Sequence, residues 1–306
     1  MGNRRRLASI GGVAAALGAL AWLCLSRGDE LAPALDAVPL SAFALVAGLH
    51  GLTLVARSEA WRLSLAAVED RVPPRSAVHG ANAGAFIVGA VDSHGALPVR
   101  ILLLRRLAPS SAPRPLQIAV ADVPIFLLEV CTTALLLAVA TAVGPLLLAG
   151  ALVVVLMSRR ACERVKGLSV LADPRRRAGL ATWVGVITAL ALARTAVALE
   201  ASGLDPGASD VALTCATMGV LGLLPLGPSA APAATMAAAG SGANALAAGL
   251  VVAAGALVAV AGYALVVFAL LVAVRETAAS DGGSRCSSLR RSAARWARLG
   301  STSSSA

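Results

Sequence analysis

The sequence predicts an all-α, polytopic integral membrane protein, and three observations carry that prediction. Hydrophobic residues make up 58% of the 306 positions and charged residues 14%, with a mean hydropathy of +0.81, whereas soluble domains carry about 25% charged residues. Apolar runs of roughly 20 residues, the length that crosses a hydrocarbon core, recur along the whole chain. Nearly all of the 26 basic residues fall in four clusters between those runs: Arg4 to Arg6, Arg71 to Arg114, Arg159 to Arg177 and Arg275 to Arg298. Lys and Arg are retained on the cytoplasmic side of the membrane, and one topology places all four clusters there. Both termini are then cytoplasmic, in a multi-pass protein of the cell membrane.

Arg4 to Arg6 followed by an apolar run resembles a signal peptide. No small-x-small cleavage site follows Leu25 and further spans come after, so residues 7–26 read as an uncleaved first span. The outer loop 27–38 carries Asp29, Glu30 and Asp36. Span 2, over 40–63, returns to the inside. Residues 76–95 are small and apolar but include Asn82, Asp92 and His94, and both flanks are basic. A full crossing would strand one basic flank outside, so a re-entrant hairpin dipping in from the cytoplasm is expected. Irregular backbone at membrane depth is tolerated where protein or a water-filled cavity covers it.

Span 3, over 115–142, goes out; Gly144-Pro145 turns the chain, and a short span 4, over 146–158, returns to the basic loop 159–177. Span 5, over 178–199, leads to an outer loop with Glu200, Asp205 and Asp210. Residues 209–241 form a second broken segment, turning at Pro225-Leu226-Gly227-Pro228 and Pro232. Span 6, over 244–273, ends inside, and its glycines read as sites of close helix packing. The count is six full spans plus two re-entrant segments; seven or eight simple spans are the alternative. A single membrane domain over 1–274 is followed by a basic tail, 275–306, of Ser, Arg and Gly, expected to be disordered.

This arrangement contains a symmetry. The half 40–142 reads span, broken segment, span, and the half 178–273 repeats it in the opposite orientation. Interrupted apolar segments at corresponding positions of inverted halves point to a transporter's binding site.

Charges inside spans cost roughly 2.5–3.5 kcal/mol each to insert, so they face a cavity or a partner. They are Arg57 and Glu59 in span 2, Asp122 and Glu129 in span 3, and Arg194 in span 5. At about 1.5 Å per residue, Glu129 and Arg194 lie roughly 21 and 24 Å above the cytoplasmic ends of their spans and are expected to pair. Arg57 and Asp122 are level near the inner surface and are expected to meet. Asp122 and Glu129, seven residues apart, share a helix face. Together these residues are expected to line a polar path between the halves; the alternative is that they only fix helix register. For Arg57 and Glu59 a further reading is snorkelling to the interface. His50 and His79 read as lone, packed or interfacial side chains, while Asp92 and His94 sit near the tip of the first hairpin.

No Ser/His/Asp set, hydrolase carboxylate pair, phosphate-binding glycine loop or helical HExxH is present. No catalytic residue and no cofactor is therefore assigned, and the chain is not read as an enzyme. The five cysteines form no CxxC pair or His/Cys cluster, so neither a disulfide framework nor a metal site is expected. The net charge of +10 is spread over short loops. It reads as topology plus attraction to anionic phospholipid headgroups, about 1 kcal/mol per basic residue near the surface, and not as a nucleic-acid site.

Span 2 ends in Arg57-Ser58-Glu59-Ala60-Trp61-Arg62. Asn82 is followed by Gly95 and by Arg100-Ile101-Leu102-Leu103-Leu104-Arg105-Arg106, and the second broken segment holds Leu223-Leu224-Pro225-Leu226-Gly227-Pro228. These resemble, in order, the basic-Trp-Arg ending, the first re-entrant loop with its exit, and the second loop of the flippase-like membrane region of bacterial lysylphosphatidylglycerol synthases and its stand-alone relatives. The resemblance extends over most of the chain. It implies transbilayer movement of polar lipids through a cavity between inverted halves. The chain departs from the pattern in both loops. Gly95-Ala96-Leu97-Pro98-Val99-Arg100 lacks the family's Glu before the Arg, and Pro228-Ser229-Ala230-Ala231-Pro232 lacks its Gly pair and Glu. The synthases' soluble aminoacyl-transferring domain has no counterpart after span 6, so lipid aminoacylation is not expected.

The expected function is a flippase- or scramblase-like carrier whose substrate contacts are Arg57, Asn82, Arg100, Asp122, Glu129 and Arg194, with Arg100 and Arg194 offering positive charge to phosphate. The alternative is a non-transporting membrane protein that anchors or regulates an envelope lipid- or glycan-modifying enzyme through the loop 159–177 and the tail.

Overall fold

The structure, a computed structural model, describes residues 2–68, 73–90, 93–111, 113–140, 150, 153, 163, 168–222, 229–240 and 242–299. Among these, regular structure is entirely helical. Four helical stretches are long and apolar enough to cross a membrane: Leu40–Ala67, Pro115–Ala138, Pro174–Ala201 and Ala243–Val274. The chain is an all-α membrane protein. The turn at Gly144-Pro145, span 4 and the first part of the basic loop, 159–167, lie outside the described residues apart from positions 150, 153 and 163, as do Asp92 and the turn Pro225 to Pro228. The side chain of His94 lies outside them too.

Helix α1 (Gly2–Ser26) covers the residues of the expected first span, and its apolar part, Ala14–Ser26, is shorter than the four stretches long enough to cross. The loop expected over 27–38 is instead a short helix, α2 (Gly28–Asp36). Asp29 and Glu30 in its first turn suit the positive end of the helix dipole. Leu31 and Ala34 are buried against Leu20, Leu23, Leu246 and Ala247.

Helix α3 (Leu40–Val68) is followed, after Pro73 and Pro74, by α4 (Arg75–Gly89) and α5 (Ser93–Leu107). At 15 residues each, α4 and α5 are about 22 Å long, short of the roughly 30 Å hydrocarbon core. A Cβ on Gly84 would run into Leu103, and one on Gly89 would meet Ala96. The two helices therefore run back along one another as a hairpin.

Helices α6 (Pro115–Val120) and α7 (Val123–Ala140) make up the next span, broken at Ala121 and Asp122. Pro124 explains the break: it has no N–H, and its ring opposes the carbonyl four residues earlier, at Val120. A single turn, α8 (Ser169–Ala172), leads to α9 (Pro174–Ala201). Asp173 caps α9 by accepting from the Arg175 amide at 2.9 Å, with Pro174 at the first helical position. Gly203, at φ 76°, closes α9. The Leu204 and Gly203 amides donate to the Leu199 and Glu200 carbonyls at 3.1 and 3.0 Å, a Schellman motif.

Helices α10 (Ala208–Leu221) and α11 (Ala230–Ala239) are again too short to cross. The last helix, α12, runs from Ala243 to Leu299. Residues 1–264 form one compact unit and 265–306 a second. The tail expected to be disordered has helical backbone as far as Leu299; its Ala, Arg and Leu residues are good helix formers.

Within the first unit α3 packs along α9, and α10 along α7. Trp61, Leu65, Val78, Leu104, Ile118, Leu171 and Leu180 are buried together where α3, α4, α5, α6, α8 and α9 meet. Val46, Ala198, Val251 and Val252 join α3, α9 and α12 in a second cluster. Gly255 lets α12 lie close on α3, since a Cβ there would press on Val46 and Ala47.

Candidate functional site

A cavity of about 660 Å³ opens inside the first unit, and each helix around it contributes one face. From α3 come His50, Thr53, Leu54 and Arg57, at i, i+3, i+4 and i+7. Residues so spaced lie over one another on a helix. The same periodicity gives Phe126, Glu129, Thr133 and Leu136 from α7, and Ile187, Ala191 and Arg194 from α9. The α4–α5 hairpin adds Phe86, Gly89 and Arg100; α10 adds Cys215 and Gly219; α12 adds Val252, Ala256 and Val260. Most of the wall is apolar, with charge confined to three guanidinium groups and the Glu129 carboxylate.

Arg57 pairs with Glu129. Its Nε donates to Oε1 at 3.0 Å, and its Nη2 donates to Oε1 and Oε2 at 2.5 and 2.6 Å. Arg100 donates from Nη1 to both oxygens of Asp122 at 2.7 Å, and its guanidinium lies 4.8 Å from the centre of the Trp61 ring. Stacking on an aromatic face is a property of Arg that Lys does not reproduce. Arg194 donates from Nη1 to Nδ1 of His50. Since arginine only donates, Nδ1 accepts, and the His50 proton sits on Nε2. The Nε groups of Arg100 and Arg194 are buried without a hydrogen-bond partner. A buried donor left unpaired costs about 1–3 kcal/mol, which a ligand oxygen would relieve.

Four of the six residues expected from the sequence therefore line the cavity: Arg57, Arg100, Glu129 and Arg194. Asp122 is held by Arg100 but is not part of the wall. Asn82 is buried in α4, its Oδ1 without a partner, away from the wall. The pairings differ from those expected. Depth along the membrane put Glu129 level with Arg194 and Asp122 level with Arg57. The structure joins Glu129 to Arg57, Asp122 to Arg100, and Arg194 to His50. Depth ranks positions along a helix but not the direction each side chain takes around it, and direction decides which charges meet. His50, read as a lone packed side chain, belongs to the site. Its position one heptad before Arg57 was the signal that marks it.

A second polar cluster lies outside the cavity. Glu59, expected as a candidate for snorkelling, is only 2% exposed. Its Oε1 accepts from Nε of Arg75 at 2.5 Å and Nε2 of His79 at 2.8 Å, and its Oε2 from Nε of Arg62 at 2.8 Å. Nδ1 of His79 is 2.8 Å from the hydroxyl of Tyr263, which is 2.8 Å from Oγ of Ser58. Ser58 Oγ also contacts the Leu54 carbonyl at 2.9 Å. The sequence signal for Tyr263 was present: it is the single tyrosine of the chain, set in an apolar helix.

Among the described residues, no three His, Cys, Asp or Glu side chains gather in a way that would hold a metal ion. No family model, curated protein or solved structure matches this chain.

Proposed function

We propose that the chain is a carrier of polar lipids, flippase- or scramblase-like, in the cytoplasmic membrane, with both termini inside. The observation that carries this reading is the charge balance of the cavity. Arg57 is matched by Glu129 and Arg100 by Asp122, while Arg194 meets the neutral acceptor His50. The site thus holds one cation in excess of its described carboxylates, inside walls that are otherwise mostly apolar. An anionic headgroup with its chains along the apolar wall has this chemistry. A volume of about 660 Å³ falls in the range of small-molecule sites, about 300–1,000 Å³. Ionisable groups in a membrane interior mark substrate paths.

The order of elements supports the inverted-repeat form of the reading. Helix α3, the α4–α5 hairpin and α6–α7 are answered by α9, the α10–α11 pair and α12. In this topology the two short-helix pairs enter from opposite sides. Single cysteines at Gly89 and Ser229 then label from opposite faces of the membrane, and labelling from one face would remove the inverted arrangement.

The deciding experiment is transbilayer movement of labelled anionic and zwitterionic phospholipids in liposomes carrying the purified protein. Movement that Arg194→Ala abolishes, in a variant that keeps its fold, is the expected result. Movement no faster than in empty liposomes for any lipid overturns the carrier reading. Attention would then pass to a membrane partner of an envelope enzyme.

A further inference from the structure

The Glu59 cluster takes no part in the cavity, and its hydrogen bonds can be counted. Four contacts run in series: Glu59 to Nε2 of His79, Nδ1 of His79 to Tyr263, Tyr263 to Ser58, and Ser58 to the Leu54 carbonyl. Each needs one proton. Tyr263 and Ser58 supply one each, and a neutral imidazole supplies a third. That leaves one contact without a hydrogen. An imidazolium supplies two, and the series closes: Nε2–H to Glu59, Nδ1–H to Tyr263, the tyrosine O–H to Ser58, and the serine O–H to Leu54.

The other placements of a proton fail. A neutral His79 protonated on Nδ1 turns the Nε2 lone pair onto the Glu59 carboxylate. A proton on Glu59 displaces one of the three donors its two oxygens already accept. The neutral Nε2–H form is possible, but Tyr263 must then donate to His79, and Ser58 must choose between Tyr263 and Leu54.

We infer that His79 is a proton-binding site built across α3, α4 and α12, and that its proton sets the direction of the Tyr263 hydrogen bond. The charged and titratable groups facing it are Glu59 and Arg62 from α3, Arg75 from α4 and Tyr263 from α12. The two guanidinium groups oppose a further positive charge. Arg75 is 68% exposed and Arg62 35% exposed, whereas Glu59 touches the ring directly and is buried. Histidine is the side chain whose ordinary ionisation falls near neutrality. With the proton bound, Tyr263 accepts from α4 and donates to α3, tying α12 to both. Without it, either the Tyr263–Ser58 tie or the Ser58–Leu54 contact within α3 is left without a hydrogen. Phe86, in the cavity wall, lies 5.9 Å from the Tyr263 ring and adjoins this switch. The inference stands independently of the carrier reading.

Tyr263 is the single tyrosine, so protein made with carbon-13 at the tyrosine hydroxyl-bearing carbon gives one phenol resonance. That resonance is followed in the full chain reconstituted in liposomes, from about pH 5 to 8. One step is expected as Tyr263 changes from accepting to donating toward His79. It disappears in His79→Gln and persists in His50→Gln. No step in the unaltered chain, or a step that survives His79→Gln, overturns the assignment. Should His79→Gln fail to fold, Ser58→Ala decides. With no Ser58 acceptor, Tyr263 turns its O–H onto His79, and the step moves to lower pH. An unmoved step in Ser58→Ala rejects the shared chain of hydrogen bonds.

Discussion

Arg57 on α3 and Glu129 on α7 hold one another across the cavity wall through three donor–acceptor contacts of 2.5 to 3.0 Å. The guanidinium presents Nε and Nη2 to the carboxylate, so the pair fixes orientation as well as charge. It joins two helices through residues 72 positions apart in the sequence.

A double-mutant cycle measures that link. Arg57→Ala and Glu129→Ala each lower the unfolding temperature in detergent, and the double variant loses less than the sum. The coupling expected for touching charges is about 0.5–3 kcal/mol. A cycle between Arg194 and Glu129 gives the smaller coupling. Equal or reversed values would contradict the observed pairing.

Arg100 anchors the hairpin to the core through Asp122 and Trp61. Arg100→Ala leaves the Asp122 carboxylate without its described partner and is expected to cost about 3 kcal/mol. That is the lower end for a broken buried pair, because Asp122 is 37% exposed. Arg100→Lys restores charge but neither the fork nor the stacking, so thermal stability recovers only in part. Full recovery in the lysine variant would show that charge alone matters.

Two glycines separate packing from propensity. A Cβ at Gly249 would collide with the Pro232 backbone and Thr235, whereas Gly48 faces open space. Gly249→Ala is expected to destabilise by about 1–3 kcal/mol through overpacking of α11 against α12. Gly48→Ala is expected to stabilise by up to about 1 kcal/mol through helix propensity. Thermal unfolding of the two variants side by side checks both signs.

Cys215 lines the cavity and Cys131 is buried in the core. In a variant with Cys24, Cys162 and Cys286 replaced by Ser, a small polar thiol reagent should modify one site, Cys215. Mass spectrometry of the peptides identifies it. Modification of Cys131 instead would mean that the cavity is closed to water in the membrane.

Much of this could be read from single residues. Pro73 and Pro74 mark the entry to α4, Pro174 after Asp173 marks the start of α9, and the short apolar segments fall on α4–α5 and α10–α11. The costly charges Arg57, Glu129 and Arg194 were visible too, because a charge within an apolar run needs a reason to be there, and Arg100 stood out in the exit of the first broken segment. Asp29 and Glu30 were read as loop residues because two acidic side chains suggest solvent. The short helix they begin depends on Leu31 and Ala34 finding α1 and α12. The partners of Glu59 are hidden for a similar reason: three donors from α3 and α4 converge on it, and no local pattern announces them.

The sequence by itself determined the solvent of this protein, its helical character and the positions at which a charge must be satisfied. Those follow from hydropathy and helix geometry, which act along the chain and are local. The tertiary structure alone decided which partner satisfies each charge. Partner choice depends on how each helix is turned about its axis and on which neighbour lies against it. Arg194 facing His50, Glu129 facing Arg57, and His79 standing between Glu59 and Tyr263 are consequences of that packing.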